Sequence, residues 1–364
     1  MGIQKRGPSP SDRLVGNWVG IVESEGEVGM TSRPPMNLEE TKPRLSSLHA
    51  LIAPELAQAE RVFQAELGSQ FPFVQHLVDH CARYQGKRLR PTLVLLSGLA
   101  SGRLTEDHPV LAAVVEMIHV ATLVHDDVLD ESLIRRHAAT VNTEWGNEAA
   151  VLLGDYLFTH AFHLAASLES TRACRWIGRA TNKVCEGELL QIHGRGNIEL
   201  TEDEYFKAIE GKTAELTAVC CRLGASYAGA DDQTTAAMDE FGRDVGIAFQ
   251  IADDVLDIWG EERQTGKSLG TDLEKQKLTL PIIRLLAYGD PAAAQLVRAI
   301  LADAKSDARR GLQPILESSG ALDESWRTAK IYVDRALAAL GVLPASEAKT
   351  ALARLAQFVV RRAS

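Results

Sequence analysis

The sequence predicts an all-α protein, a single-domain helical bundle around a central elongated cavity. Three observations carry that prediction. From about Leu45 to Val360 apolar residues recur at three- and four-residue spacing, the period of helices with one buried face, and strand-like alternation is nearly absent. The pentapeptide Asp-Asp-Val-Leu-Asp occurs twice, beginning at Asp126 and at Asp253, each time at the end of a long apolar run. Finally, no composition shift divides the middle of the chain, and two matched acidic clusters need a shared cavity, so one domain is favoured over the two that 364 residues would permit.

Taken in order, residues 1–44 carry Gly, Pro and Ser at high density, as in Gly7-Pro8-Ser9-Pro10 and Thr31-Ser32-Arg33-Pro34-Pro35, with no sustained hydrophobic period. Such a segment buries too little apolar surface to offset its ordering entropy, so a disordered extension is expected there and the folded domain at 45–364. Helical runs are expected over 48–67, 109–129, 149–168, 176–192, 204–227, 235–259, 278–287, 325–340 and 345–360. Thr201 with Glu204 three residues later reads as a capping box opening the fifth run. Gly86-Lys87-Arg88-Leu89-Arg90-Pro91 places three cations in a short loop ahead of a helix.

Bulk composition excludes several classes. With 39 basic against 49 acidic residues the net charge is −10, which argues against a general nucleic-acid binder. The five cysteines, Cys81, Cys174, Cys185, Cys220 and Cys221, lack C-x-x-C spacing, and an odd count in a chain this long suits reduced thiols. Neither zinc nor a disulfide framework is expected. No secretory apolar core, no run of about 18 apolar residues and no myristoylation pattern is seen, Arg6 standing where that pattern wants Ser or Thr; a soluble cytoplasmic protein is expected.

On a helix, residues i and i+4 lie one turn apart on one face, so Asp126 with Asp130, and Asp253 with Asp257, each present paired hard oxygen ligands. A single such cluster is more often a solvated helix end. Two identical copies, each behind an apolar stretch (114–124 and 245–252), would carry carboxylates to a core edge where unpaired charge is costly. Mg²⁺ is commonly held by one or two carboxylates plus substrate phosphates, and the repeat therefore points to a diphosphate gripped from two sides.

Protein cations answer these acids: Lys87, Arg88 and Arg90, the pair Arg135-Arg136 after the first cluster, and Lys212, Lys267 and Lys277. Arginine matches phosphate oxygens bidentately and lysine acts as a point charge. Lys275 reads as a solvated surface cation. His119 precedes Asp126 by seven residues, two turns along nearly the same face, and so points toward the same cavity. His125 is not read as a metal ligand, because hard Mg²⁺ prefers oxygen. The stretch ending in Gly266-Lys267-Ser268 resembles a phosphate-cradling loop, but five residues separate its glycines where that motif has four, and it follows a helix.

Together these residues resemble the all-trans polyprenyl (isoprenyl) diphosphate synthase family, over roughly Leu45 to the C-terminus. The resemblance implies that Asp126, Asp127 and Asp130, as a first aspartate-rich motif, and Asp253, Asp254 and Asp257, as a second, hold Mg²⁺ on an allylic diphosphate. It implies that Lys87, Arg90, His119 and Arg136 bind isopentenyl diphosphate, and that Arg135, Lys212, Thr213, Gln250, Lys267 and Lys277 contact the allylic diphosphate. It further implies a homodimer, and transient membrane contact when product is released. His137 and Ala139 stand where the family usually has Gly and Pro after the arginine pair, and Gln85 replaces the first glycine of its usual Gly-Gly-Lys-Arg loop.

In the expected reaction, metal and the cluster including Lys212 and Lys267 draw charge onto the departing diphosphate, the alkene of isopentenyl diphosphate attacks the allylic cation, and a proton is lost. Ala121 and Thr122, about one turn before Asp126, are small where short-chain members carry an aromatic floor. A tunnel is therefore expected to run on past Val115 and Ile118, with Phe158 or Phe162 as a deeper stop, giving a heptaprenyl to decaprenyl product of the kind used for quinone side chains. The alternatives are a shorter-chain (geranylgeranyl or farnesyl) synthase, which only Ala121 and Thr122 argue against, and a partner subunit of a heteromeric synthase, which should have lost aspartates. A terpene cyclase would leave Lys87, Arg90 and Arg136 without a role.

Overall fold

Long helices arranged around two buried apolar clusters build this protein, and two of them end in the acidic pentapeptides. The computed structural model describes residues 48–84, 86–136, 138–260, 270–302 and 308–361. The expected extension over 1–44, together with Gln85, His137, Lys267 and the glycine-lysine stretch, lies outside the described residues.

Helices α1 (Ala53–Glu66), α2 (Pro72–Cys81), α3 (Leu89–Ala100) and α4 (Asp107–Leu129) lead into a small antiparallel hairpin, β1 (Ile134–Arg135) and β2 (Ala138–Ala139), in which Ile134 faces Ala139 and Arg135 faces Ala138. Next come α5 (Val141–Ala166), α6 (Arg172–His193), α7 (Glu202–Ile209), a π-helical turn at Glu210–Ala214, α8 (Glu215–Tyr227) and α9 (Asp232–Trp259). A single turn at Thr271–Glu274 precedes α10 (Leu280–Tyr288), α11 (Pro291–Ala302), α12 (Ala308–Ser318), α13 (Ala321–Ala339) and α14 (Glu347–Arg361). The described residues belong to one compact unit.

Most expected runs coincide with helices, and the departures have local causes. The run expected over 149–168 starts earlier, at Val141, but Gly146 takes φ 86° and ψ 165° and breaks the helix just ahead of the periodic stretch. The run over 204–227 is two helices joined by the π turn. Its start carries the capping box: the Thr201 hydroxyl accepts from the Glu204 amide, and Glu204 accepts from the Thr201 amide. Helix α3 escaped the period because it is buried nearly all round, from Pro91 to Gly98. It begins at Leu89, so Arg90 sits in its first turn and not in the loop.

Helix α4 is the central rod. Val114, Val115, Ile118 and Ala121 are fully buried on it, between α1, α3 and α5. Helix α9 is the second rod, packed on α8 and α13. It approaches α8 so closely that a Cβ at Gly242 would lie 2.4 Å from the Thr217 carbonyl oxygen. Both α4 and α5 are long and apolar enough to cross a membrane by length and composition, but 72% of the apolar window of α4 is buried in the fold against 33% of that of α5. Helix α5 thus keeps an uncovered apolar face, with Val151 42% and Leu152 68% exposed.

One buried acid joins α9 to α13: Asp244 is 4% exposed and meets Arg335 at 3.1 Å. Burial raises its pKa to about 6 against the pull of Arg335, with Glu240 pushing the same way as burial, Arg243 opposing and Glu210 adding. A folded pKa above the ordinary carboxylate value favours the protonated fold, so this contribution is full in acid and is lost as pH rises through about 6. Asp244→Asn is therefore expected to be more stable than the parent at pH 8, by on the order of 1–2 kcal/mol. In denaturant unfolding at a series of pH values that gap should close toward pH 4.

Candidate active site

The first pentapeptide spans the last turn of α4. Asp126 and Asp130 stand one turn apart, both partly exposed, with the Asp130 amide donating to the Asp126 carbonyl at 2.8 Å. Asp127 faces the other way: it is 1% exposed, and one of its oxygens accepts from Arg135 Nε at 2.8 Å and Nη2 at 2.7 Å. The structure therefore brings Asp126 and Asp130 together and sets Asp127 apart, as the anchor of Arg135. Among the described residues, no hydrogen bond or ion pair reaches the Asp126 carboxylate. Burial raises its pKa to about 6, with Lys212 opposing and Glu188 and Asp130 adding.

The second pentapeptide repeats the pattern at the end of α9. Asp254 is 1% exposed and accepts from the Tyr205 hydroxyl at 2.6 Å and Gln250 Nε2 at 2.8 Å, with Lys277 at 3.6 Å. Asp253 is partly exposed, and the buried Asp257 accepts from the Asp272 amide at 3.2 Å. Gln250 also accepts from the Thr213 hydroxyl at 2.7 Å, so Thr213, Gln250 and Asp254 form one chain. Lys277 is held by Asp272 at 3.1 Å; burial disfavours its charge, yet Asp254, Asp272 and Asp253 keep its pKa above the usual lysine range.

One short lysine-bearing segment reaches both tips. Asp130 of the first is paired with Arg195 at 3.3 Å and with Lys275 at 3.1 Å, and Lys275 is two residues from Lys277 of the second. Lys275 is thus no solvated surface cation: it is 29% exposed and paired with Asp130 of the first cluster. Lys212 reaches in from the π turn, ion-paired with Glu188 and donating to Gln191 Oε1 at 2.9 Å. A π turn admits one extra residue per loop and recurs at functional sites. Here it is pressed against α6 at Gly187 and Gly211, whose backbones lie within van der Waals contact.

Beside the first tip is a cation cluster. Burial lowers the pKa of both Arg90 and Arg136, with the buried Glu116 opposing in each case; Arg136 adds to the lowering at Arg90 and Arg135 to that at Arg136, and burial with Arg90, Arg136 and Arg135 holds His119 well below the histidine range. His119 is therefore a neutral donor among cations. Arg90 Nε is buried without a partner among the described residues. Arg136, at φ 50°, donates to the Tyr84 carbonyl and lies over Gly86, where any Cβ would meet its guanidinium. Lys87 shares the loop, but its ammonium sits 5.7 Å from the Phe358 ring centre. His125 contacts the Val151 carbonyl at 3.1 Å and serves the packing of α4 on α5.

Sequence reasoning passed over Glu188, Gln191, Arg195 and Tyr205, and read Lys275 as solvated. Only Lys275 had a signal, its place two residues before Lys277. The others gain their place by tertiary contact alone.

A sequence profile described as polyprenyl synthetase matches residues 71–317. The octaprenyl diphosphate synthase of Escherichia coli strain K12 is 35% identical over 321 residues, covering 87% of this chain and 99% of that protein. The chain belongs to the polyprenyl synthetase family. Crystal structures agree: a decaprenyl diphosphate synthase from Rhodobacter capsulatus superposes with a TM-score of 0.82 at 34% identity, covering 88% of this chain and 99% of that one. A polyprenyl synthase from Caulobacter crescentus CB15, complexed with calcium and isoprenyl diphosphate, gives 0.83 at 34% identity, covering 88% and 98%. This polyprenyl diphosphate synthase is accordingly a prenyltransferase of the long-chain type, acting on isopentenyl diphosphate and an allylic diphosphate, with the all-α isoprenoid synthase fold.

The family uses a divalent metal, and the residues present fit one. No three His, Cys, Asp or Glu among the described residues gather as a complete ion cage. What stands there instead is two carboxylate pairs of hard oxygen donors, one including the unpartnered Asp126, an arrangement suited to an ion that completes its shell with substrate oxygens.

Gly187→Ala tests how the π turn positions Lys212. The added Cβ would lie 2.3 Å from the Lys212 amide nitrogen and 2.7 Å from the Gly211 carbonyl carbon. A loss of roughly 2–3 kcal/mol of stability is expected. In steady-state assays the KM for the allylic diphosphate should rise more than that for isopentenyl diphosphate.

Proposed function

We propose that Asp126 and Asp130 with Asp253 and Asp257 hold Mg²⁺ on the allylic diphosphate, while Asp127 and Asp254 orient the groups around them. The observation that supports this reading is that one short segment carries Lys275 to Asp130 of the first tip and Lys277 to Asp254 of the second, with Lys212 close enough to Asp126 to oppose the rise of its pKa. Bound Mg²⁺ would neutralise charge on the leaving diphosphate. Lys212, Thr213 and Gln250 line the same side, with Lys277 behind Asp254, and take up diphosphate oxygens as the allylic C–O bond breaks and its electron pair leaves with the diphosphate. Lys267 joins them by family resemblance. Arg135 acts through Asp127.

Arg90, Arg136 and the neutral His119 receive isopentenyl diphosphate, supported by the unpartnered Arg90 Nε, and Lys87 reaches it from its loop. The alkene electrons of that substrate form the new C–C bond to the allylic carbon, and the released diphosphate takes the proton that is lost. The apolar wall of α4 keeps water from the cation. Arg90→Ala is expected to raise the KM for isopentenyl diphosphate by 10-fold or more, about 1.5–3 kcal/mol for a hydrogen bond to a charged group, with little change in that for the allylic substrate.

The growing chain passes Ala121 and Thr122 and runs along Val115 and Ile118 toward Phe158 and Phe162, giving a product in the heptaprenyl to decaprenyl range for quinone side chains. The small side chain of Ala121 supports this, as does the Thr122 hydroxyl, turned back onto the His119 carbonyl at 2.7 Å. The uncovered apolar face of α5, with Leu189 and Leu190 of α6, supports a homodimer. A cytoplasmic protein with transient membrane contact at product release completes the reading. Its test is mass spectrometry of products from farnesyl diphosphate with and without isopentenyl diphosphate. Elongation should require both isopentenyl diphosphate and Mg²⁺, and Ala121→Phe or Thr122→Phe should shorten the product; turnover of farnesyl diphosphate alone would sink the proposal.

A further inference from the structure

The outer carboxylate of the first tip already holds cations of the protein's own. Asp130 Oδ1 accepts from Arg195 Nη2 at 3.3 Å, and Asp130 Oδ2 lies 3.1 Å from Lys275 Nζ, so both oxygens are engaged while the Asp126 carboxylate, one turn back, has no partner among the described residues. Arg195 belongs to the loop after α6 and Lys275 to the turn after Thr271–Glu274. These loops are tied to each other: the Gly196 amide donates to the Gln276 carbonyl at 2.8 Å. Gly196 at φ 73° and Gln276 at φ 54° turn the two chains back to back there. Each cation therefore neighbours the residue that makes the tie, and the pair reaches Asp130 as a unit.

We propose that Arg195 and Lys275 form an electrostatic latch across the mouth of the site, occupying the metal face of Asp130 until a divalent ion displaces them. The inference rests on the reading of Asp126 and Asp130 as a metal-binding pair. Each Asp130 oxygen keeps a second lone pair for an ion, but a divalent ion at ligand distance would stand close to the ammonium and guanidinium already on that carboxylate and repel them. Entry of the ion thus breaks at least the Lys275 contact. The freed ammonium then lies at the mouth two residues from Lys277, placed to meet the diphosphate. Lys275 and Arg195 are positioning residues that set how readily the first tip accepts metal.

The probe is Mn²⁺ alone, titrated into the purified full chain without substrate and read as the loss of the free-ion paramagnetic resonance signal. At the partial exposure of these side chains, an ion pair corresponds to about a two- to five-fold effect. Lys275→Ala and Lys275→Gln should each bind Mn²⁺ tighter by that factor, Lys275→Arg should return to the parent affinity, and Lys275→Ala should have no effect in an Asp130→Asn background. Melting temperatures verify that each variant is folded. Unchanged or weaker Mn²⁺ binding by both Lys275→Ala and Lys275→Gln overturns the latch while leaving the metal site standing. Absence of Mn²⁺ binding by the parent even with pyrophosphate added overturns the metal reading and the latch with it.

Discussion

Like charges gathered at two helix ends set the terms for everything around them. Two carboxylate pairs at helix ends would repel and would resist burial, so the protein surrounds them with compensation in a consistent pattern. In each pentapeptide the second aspartate turns inward and is held locally: Asp127 through one oxygen by Arg135, Asp254 by Tyr205, Gln250 and Lys277. In the first pentapeptide the outer residues Asp126 and Asp130 stay partly exposed, and Asp130 meets Arg195 and Lys275. A repeat that looks like six equivalent ligands is two anchors and two pairs.

The neighbouring cluster solves the opposite problem. Arg90 and Arg136 repel each other in a partly buried place, and His119 joins them without adding charge because that environment holds it neutral. An anion entering between them relieves the repulsion and satisfies the bare Arg90 Nε together. The first acidic tip and this cluster are adjacent because both grow from α4 and the segments packed on it, so one rod registers the two substrates against each other.

Much of this was legible in the sequence, and what was not has a physical reason. Helix α4 announces itself because its apolar run is long and ends in charge; the i, i+4 pairing of its aspartates follows from helical geometry alone. The period could not reveal α3, which is buried on all sides, or the hairpin at Ile134 and Ala139, whose strands are two residues each. The inward turn of Asp127 and Asp254 depends on partners 8 and 49 residues away, Arg135 and Tyr205. Lys275 was misread because a lysine in a polar turn carries no mark of what lies opposite; the acid it meets is on another element, brought near by the return of the chain after α9.

The π turn at Glu210–Ala214 adds a residue to the helical count between α7 and α8. Every side chain downstream, through Tyr227, is thereby rotated by about 100° relative to an uninterrupted helix. The faces of α8 that pack on α3 and α9 presuppose that offset, so deleting a single residue there would misalign an entire helix with both its neighbours. The irregularity is fixed from outside: it cannot be ironed out locally, and the reach of Lys212 is insured by the packing of residues far from any ligand.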